Sequence, residues 1–142
     1  MYELKVLREH RVGYGPRTRI GAAQDVYDAF KAHFAPLDRE QFVVLALDGK
    51  NNILGFNVVS TGSLTSALVH PREVFKPAIL ENAAAVILVH NHPSGDATPS
   101  DEDKAITARL KQAGELLGIK VLDHVVIGDH DHYVSFADTH LL

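Results

Sequence analysis

Apolar residues along this chain fall into two rhythms, and the changes from one to the other mark its elements. From about Ala22, the residues Ala23, Val26, Tyr27, Phe30 and Phe34 recur at three- and four-residue steps. That spacing predicts a helix burying one stripe and leaving Asp25, Asp28 and Lys31 outside, with Pro36 just past its end. Phe42 to Leu47 is a nearly continuous apolar run that reads as a central strand. The turn Asp48-Gly49-Lys50-Asn51-Asn52 leads to a second strand from Ile53 to about Ser60, and Leu64 to Val69 is expected as a third, giving a meander. His70-Pro71 opens a helical segment with proline at a permitted first position, and Val74, Phe75, Ala78 and Ile79 form its stripe. Pro77 lacks the amide hydrogen that would bond the carbonyl four residues back, so a kink or two short helices is expected there.

The second half repeats the alternation. Ala83 to Val89, continuing to His92, is a short apolar run predicted to be a buried strand. Ser100 to Leu117 carries a helical seam of Ile106, Leu110, Ala113 and Leu117, and Gly118 is placed to end it. Lys120 to Ile127 and His132 to Phe136 read as a closing hairpin around Gly128-Asp129-His130-Asp131. Near the start, Tyr2 to Val6 alternates like a short edge strand before Gly13-Tyr14-Gly15-Pro16 breaks the chain. Strands mixed with helices predict an α/β fold in which a mixed β-sheet is flanked by about three helices.

Size and composition narrow this reading without redirecting it. A chain of 142 residues is expected to form a single domain over 1–142. Hydrophobic residues at 46% and charged residues at 23% are ordinary globular values that do not suggest disorder, and no apolar run approaches the length of a membrane span. With no basic-then-apolar leader and no cysteine, a cytoplasmic location is the default expectation. A net charge of −4 argues against a broad nucleic-acid footprint. Lys5, Arg8, His10, Arg11, Arg17 and Arg19 make residues 1–20 locally basic, which reads as a strand and loop with solvated charges in preference to a binding arm.

The chemistry concentrates between Val89 and Asp103. Side chains two apart on a strand share a face, so His90 and His92 can converge on one point while Asn91 points off that face and reads as structural. Pro93 stops the pairing, a turn-rich loop follows, and Ser100 is the best N-cap of the next helix, which puts Asp103 at its third position. Hydrolytic zinc sites commonly take three nitrogen or oxygen ligands and leave the fourth position to water. His90, His92 and Asp103 supply such a set. On spacing alone a second reading stays open, in which Asp103 completes a capping box with Ser100. His130-Asp131-His132 is another His-x-His, but it lies in a predicted turn and reads as solvent-exposed.

The pattern His-x-His-Pro followed by Pro-Ser-x-x-Asp resembles the JAMM (MPN-type) metalloprotease motif. The fuller string His90-Asn-His-Pro-Ser-Gly-Asp-Ala-Thr-Pro-Ser100 resembles the RadC family. So do Glu40-Gln-Phe-Val-Val-Leu-Ala-Leu-Asp48, Leu68-Val-His-Pro-Arg-Glu-Val-Phe75, Ala113-Gly-Glu-Leu-Leu-Gly118 and Leu122-Asp-His-Val-Val-Ile-Gly128. The resemblance implies a JAMM/MPN-like layered α/β architecture, akin to that of cytidine deaminases, and a Zn2+ cofactor held by His90, His92 and Asp103. It implies catalytic roles for Glu40, as the general base at the mouth of an early strand, and for Ser100, whose hydroxyl is expected to steady an oxyanion more than to cap the helix. Glu73 and Glu81 are rivals to Glu40 by composition. His70 and Arg72 are placed where they could face the site, Ser94 and Asp96 where they could support it, and His124 reads as a packed strand histidine ahead of a support for the ligands.

A zinc-dependent hydrolase cleaving peptide or isopeptide bonds in a peptide or protein substrate follows from that resemblance. RadC proteins are traditionally labelled as DNA-repair proteins and usually carry an N-terminal helix-hairpin-helix region. This chain reads as a shortened form without it. A nucleic-acid-processing role, weakened by that shortening, and a non-catalytic, metal-stabilised interaction module are the alternatives. One carboxylate among three ligands suits amide hydrolysis better than the carboxylate-rich sites of most nucleases.

Overall fold

A computed structural model describes residues 1–3, 5, 18–65 and 68–142. The elements are α1 (Ala23–Phe34), β1 (Gln41–Leu47), β2 (Ile53–Thr61), α2 (Pro71–Leu80), β3 (Ala85–Asn91), α3 (Asp101–Leu117), β4 (Lys120–Ile127) and β5 (Tyr133–Ser135). The strands form one sheet in the order β2-β1-β3-β4-β5. Strands β3 and β4 run parallel and the other neighbours antiparallel, so the sheet is mixed as expected. A parallel pair needs a crossover, and α3 provides it.

The continuous apolar runs of β1 and β3 are explained by burial on both faces. Val43, Leu45, Leu47, Ile87 and Val89 face α1, where they pack against Val26, Tyr27, Phe30 and Phe34. Phe42, Val44, Val86 and Leu88 face the other way, against Val74, Phe75 and Ala78 of α2 and Ile106 and Leu110 of α3. His90 continues that second series, so the strand period alone turns it toward α3. His92 lies one residue past β3 yet keeps the pairing, its N–H donating to Ile127 O at 2.9 Å.

Several expectations need correction. Leu64, Thr65, Leu68 and Val69 form no strand; Leu68 and Val69 N–H groups bond back to Thr65 O, and Ser66 and Ala67 lie outside the described residues. Leu64 and Val69 are apolar because they anchor a crossing loop in the core, which a strand pattern mimics. Of the kink or two short helices expected at Pro77, the second does not occur: α2 is one ten-residue helix that runs through the proline. Only one intrahelical bond is forgone, and the burial of Val74, Phe75 and Ala78 offsets it. Ile79 and Leu117, placed in buried seams, are 53% and 49% exposed. The α3 seam runs instead through Asp103, Ile106, Thr107, Leu110 and Gly114.

At the N-terminus, Leu4, Val6, Gly13 to Pro16 and most of the basic cluster lie outside the described residues. Of that cluster Lys5 and Arg19 are described, Lys5 exposed beside Glu3 and Arg19 in a β-bridge to Asn52 beside β2. Among the described residues no helix is long and apolar enough to cross a membrane.

Gly114 sets how closely α3 lies on the sheet. A Cβ there would collide with the carbonyl oxygen of Ile119 and press on Phe75 and Val121. Gly114→Ala is therefore expected to destabilise the fold by about 1–3 kcal/mol in denaturant unfolding, whereas gain of stability from its better helix propensity would contradict the close approach.

Candidate metal centre

Three elements meet at the C-terminal end of β3. His90 and His92 arrive from the strand end, Asp103 from the first turn of α3, and Glu40 from the residue preceding β1. His90 Nε2 and His92 Nε2 stand 3.0 Å apart. Asp103 places Oδ1 at 3.3 Å from His90 Nε2 and Oδ2 at 3.1 Å from His92 Nε2. Among the described residues this is the one group of His, Cys, Asp or Glu side chains close enough to share a metal ion.

Asp103 also completes the capping box. Its Oδ2 accepts the Ser100 N–H at 2.8 Å while its own N–H donates to Ser100 Oγ at 3.1 Å. The two readings left open by spacing are thus both present, in one carboxylate. The cap orients the carboxylate, and the remaining lone pairs face the histidines.

Hydrogen-bond logic assigns the imidazole tautomers. Thr107 Oγ1 donates to Asp103 O at 2.7 Å, so it accepts from His124 Nδ1 at 2.5 Å. That leaves His124 Nε2 as an acceptor for His90 Nδ1–H, at 2.7 Å. His90 Nε2 is then the nitrogen turned into the site. His92 turns its Nε2 the same way, because its Nδ1–H is taken by Asp96 O at 2.8 Å. Burial holds His124 well below the ordinary histidine pKa, which keeps it neutral as this chain of bonds requires.

Facing Asp103, an Nε2–H donates to the carboxylate, and an Nε2 without its proton offers a lone pair to a cation. The hydrogen bond to Asp103 raises the His92 pKa above its ordinary value despite partial burial. Burial pushes Asp103 up, but hydrogen bonds from His90 and His92 more than offset it and hold the carboxyl far below its usual range. Nitrogen ligands of one tetrahedral zinc sit roughly 3.3 Å apart, so the donor set and its spacing fit a zinc-like cation.

Glu40 Oε1 lies 3.9 Å from His92 Nε2, on the open side of the group. Its Oε2 accepts the Leu64 N–H at 3.4 Å, and its backbone carbonyl accepts from Gly62 N–H at 2.7 Å. Glu40, Ser63, His92, Ser94 and Ser100 line a cavity of about 490 Å³. The rivals lie elsewhere: Glu73 is paired with Lys76 at 2.9 Å, and Glu81 ends α2.

Other expectations divide. His70 caps α2, accepting from Arg72 N–H, and Arg72 lines an apolar groove between α2 and α3, so neither faces the site. The support expected from the loop comes from the Asp96 backbone carbonyl on His92; Ser94 Oγ accepts the Asp96 N–H. His130 and His132 are exposed as expected. Ser100, expected to favour an oxyanion role over the cap, has its hydroxyl in the cap. His124, read as packed, does stack on Phe136 with centroids 4.7 Å apart, and also bonds a candidate ligand. Thr107 escaped sequence reading altogether. Its one available signal was a position four residues, one helical turn, after Asp103.

A family model described as a RadC-like JAB domain matches residues 20–141. The chain belongs to the RadC family. A UPF0758 protein from Pelobacter propionicus is 56% identical over 124 residues, covering 87% of this chain and 54% of the relative. Those from Geotalea uraniireducens and Methanosarcina mazei are 54% and 50% identical over 120 and 123 residues, covering 84% and 87% of this chain and 52% and 53% of the relatives. The chain spans about half the length of these RadC relatives. The mixed five-stranded sheet with helices on both faces agrees with a JAB-type domain, which is related to the JAMM fold.

In this RadC domain, His124 fixes the tautomer of His90. His124→Phe, which keeps ring packing against Phe136 but removes both nitrogens, is expected to weaken zinc binding about 10- to 100-fold in a chelator competition, with the fold retained. Unchanged affinity would refute the assigned hydrogen-bond chain.

Proposed function

We propose that this chain is a zinc-dependent hydrolase of the JAMM type that cleaves peptide or isopeptide bonds. The observation that carries the reading is the convergence of His90 Nε2, His92 Nε2 and Asp103 at one point, with the Glu40 carboxylate beside the open side. His90, His92 and Asp103 hold the ion. A zinc ion there supplies Lewis-acid polarisation of the scissile carbonyl and lowers the pKa of a water molecule.

The remaining work falls to the chain's own groups. Glu40 takes the proton from the attacking water and returns it to the leaving amine, a role worth typically 10²–10⁴-fold. Ser100 accepts the Asp103 N–H through an oxygen lone pair, which leaves its O–H proton to donate to the oxygen of the tetrahedral intermediate. Capping and oxyanion stabilisation therefore use different parts of one hydroxyl. Ser100 is exposed in the same cavity as Glu40, so a substrate carbonyl can reach both. His124, held neutral by burial, takes up the Nδ1 side of His90 and leaves its Nε2 facing the ligand side, and the Asp96 carbonyl keeps His92 turned inward.

Metal analysis of the purified protein is expected to find about one zinc per chain, and much less in His92→Ala. In a peptide-library and isopeptide cleavage screen, Glu40→Gln should keep its zinc and lose about 10²–10⁴-fold in turnover. Equal zinc in wild type and His92→Ala would contradict the ligand assignment. Bound zinc with no cleavage would favour an interaction module, and cleavage of DNA alone would favour the nucleic-acid reading.

A further inference from the structure

The ladder between β1 and β3 ends at Phe42 opposite His90. The next pair in register would be Gln41 with Asn91, and there the side chain of Asn91 takes over from the backbone. Its Oδ1 accepts the Gln41 N–H at 2.8 Å and its Nδ2 donates to Arg39 O at 3.1 Å. An N–H and a C=O two residues apart along one strand edge are what a neighbouring antiparallel strand normally satisfies. The asparagine amide, with one donor and one acceptor in a plane, substitutes for that missing peptide group.

The residue between Arg39 and Gln41 is Glu40. We propose that Asn91 is the positioning residue for Glu40, fixing the backbone on both sides of it so that its carboxylate is aimed at the ligand face. The inference rests on the reading of Glu40 as the base. Glu40 is held from the other side as well, since its carbonyl accepts from Gly62 N–H and its carboxylate from Leu64 N–H. Strand alternation puts His90 and His92 on one face and Asn91 on the other, so one three-residue run sets the ligands and the clamp together. Asn91 is 4% exposed, and an apolar side chain of its size would fill the space while stranding Gln41 N–H and Arg39 C=O. Burial alone therefore does not account for an amide here.

The test compares Asn91→Ala and Asn91→Asp in the zinc-loaded protein. The alanine variant is expected to speed amide hydrogen exchange at Gln41 by about tenfold or more. The aspartate variant, which still accepts from Gln41 but cannot donate to Arg39, should leave that exchange near wild type and serves if the alanine variant does not fold. In cleavage, Asn91→Ala should lower kcat by about tenfold or more with KM within about twofold and zinc content unchanged. Asn91→Asp should lower kcat less. Added to Glu40→Gln, Asn91→Ala should have no further effect, because it acts through Glu40. Unaltered Gln41 exchange in Asn91→Ala, or kcat losses that multiply with Glu40→Gln, would overturn the proposal. If the wild type cleaves no peptide or isopeptide bond, the hydrolase reading fails, and Gln41 exchange still decides the clamp.

Discussion

The convergence of two imidazoles and a carboxylate in a half-buried corner is the constraint on which this structure turns. His90 Nε2, His92 Nε2 and the Asp103 carboxylate face each other at 3.0 to 3.3 Å. Such a group is held together by a proton or a cation among its members, and the surrounding bonds leave little room for any other arrangement. His124, itself held by Thr107, occupies the far nitrogen of His90, Asp96 that of His92, and Ser100 fixes Asp103. No polar side-chain atom buried among the described residues lacks a partner, so the candidate ligands are held in place by bonds on every other side.

The fold supplies this corner through two geometric facts. Strand period carries the apolar series of β3 directly into His90 and His92 on the α3 side. The parallel pairing of β3 and β4 requires α3 to cross back over the sheet, and its N-terminus then lies where β3 ends. Asp103 belongs at that helix start for capping reasons alone. The same pairing brings His124 of β4 behind His90. Ligand placement is therefore a by-product of ordinary sheet and helix geometry, with few residues committed to the site alone.

Much of this was legible along the chain because it rests on local periodicity. The α1 stripe, the β1 and β3 runs, the α3 start at Ser100 and the Gly118 end, which takes φ of 72°, all follow from short-range rules. Long-range register was not legible. His124 sits behind His90 through a β3–β4 ladder that contains an irregularity between Val86 and Ile87, which no single-strand pattern reveals. Asn91 looked merely structural because its role depends on where the β1–β3 ladder stops. Leu64 and Val69 imitated a strand because loop anchors and strand residues are buried alike. Gly114 displaced Leu117 from the seam because the close approach of α3 to Ile119 favours the smallest residue on that turn. Membership of the RadC family was carried by the His90 to Ser100 string, and the match over residues 20–141 bears it out.

Anomalous X-ray diffraction at the zinc edge, on crystals of the zinc-loaded protein, tests the central claim most directly. The account predicts one dominant peak bonded at about 2.0–2.2 Å to His90 Nε2, His92 Nε2 and an Asp103 oxygen, with the Nδ1 atoms of both histidines still hydrogen-bonded to His124 and Asp96. A peak on the exposed His130 and His132, coordination through Nδ1, or none at this corner would contradict it.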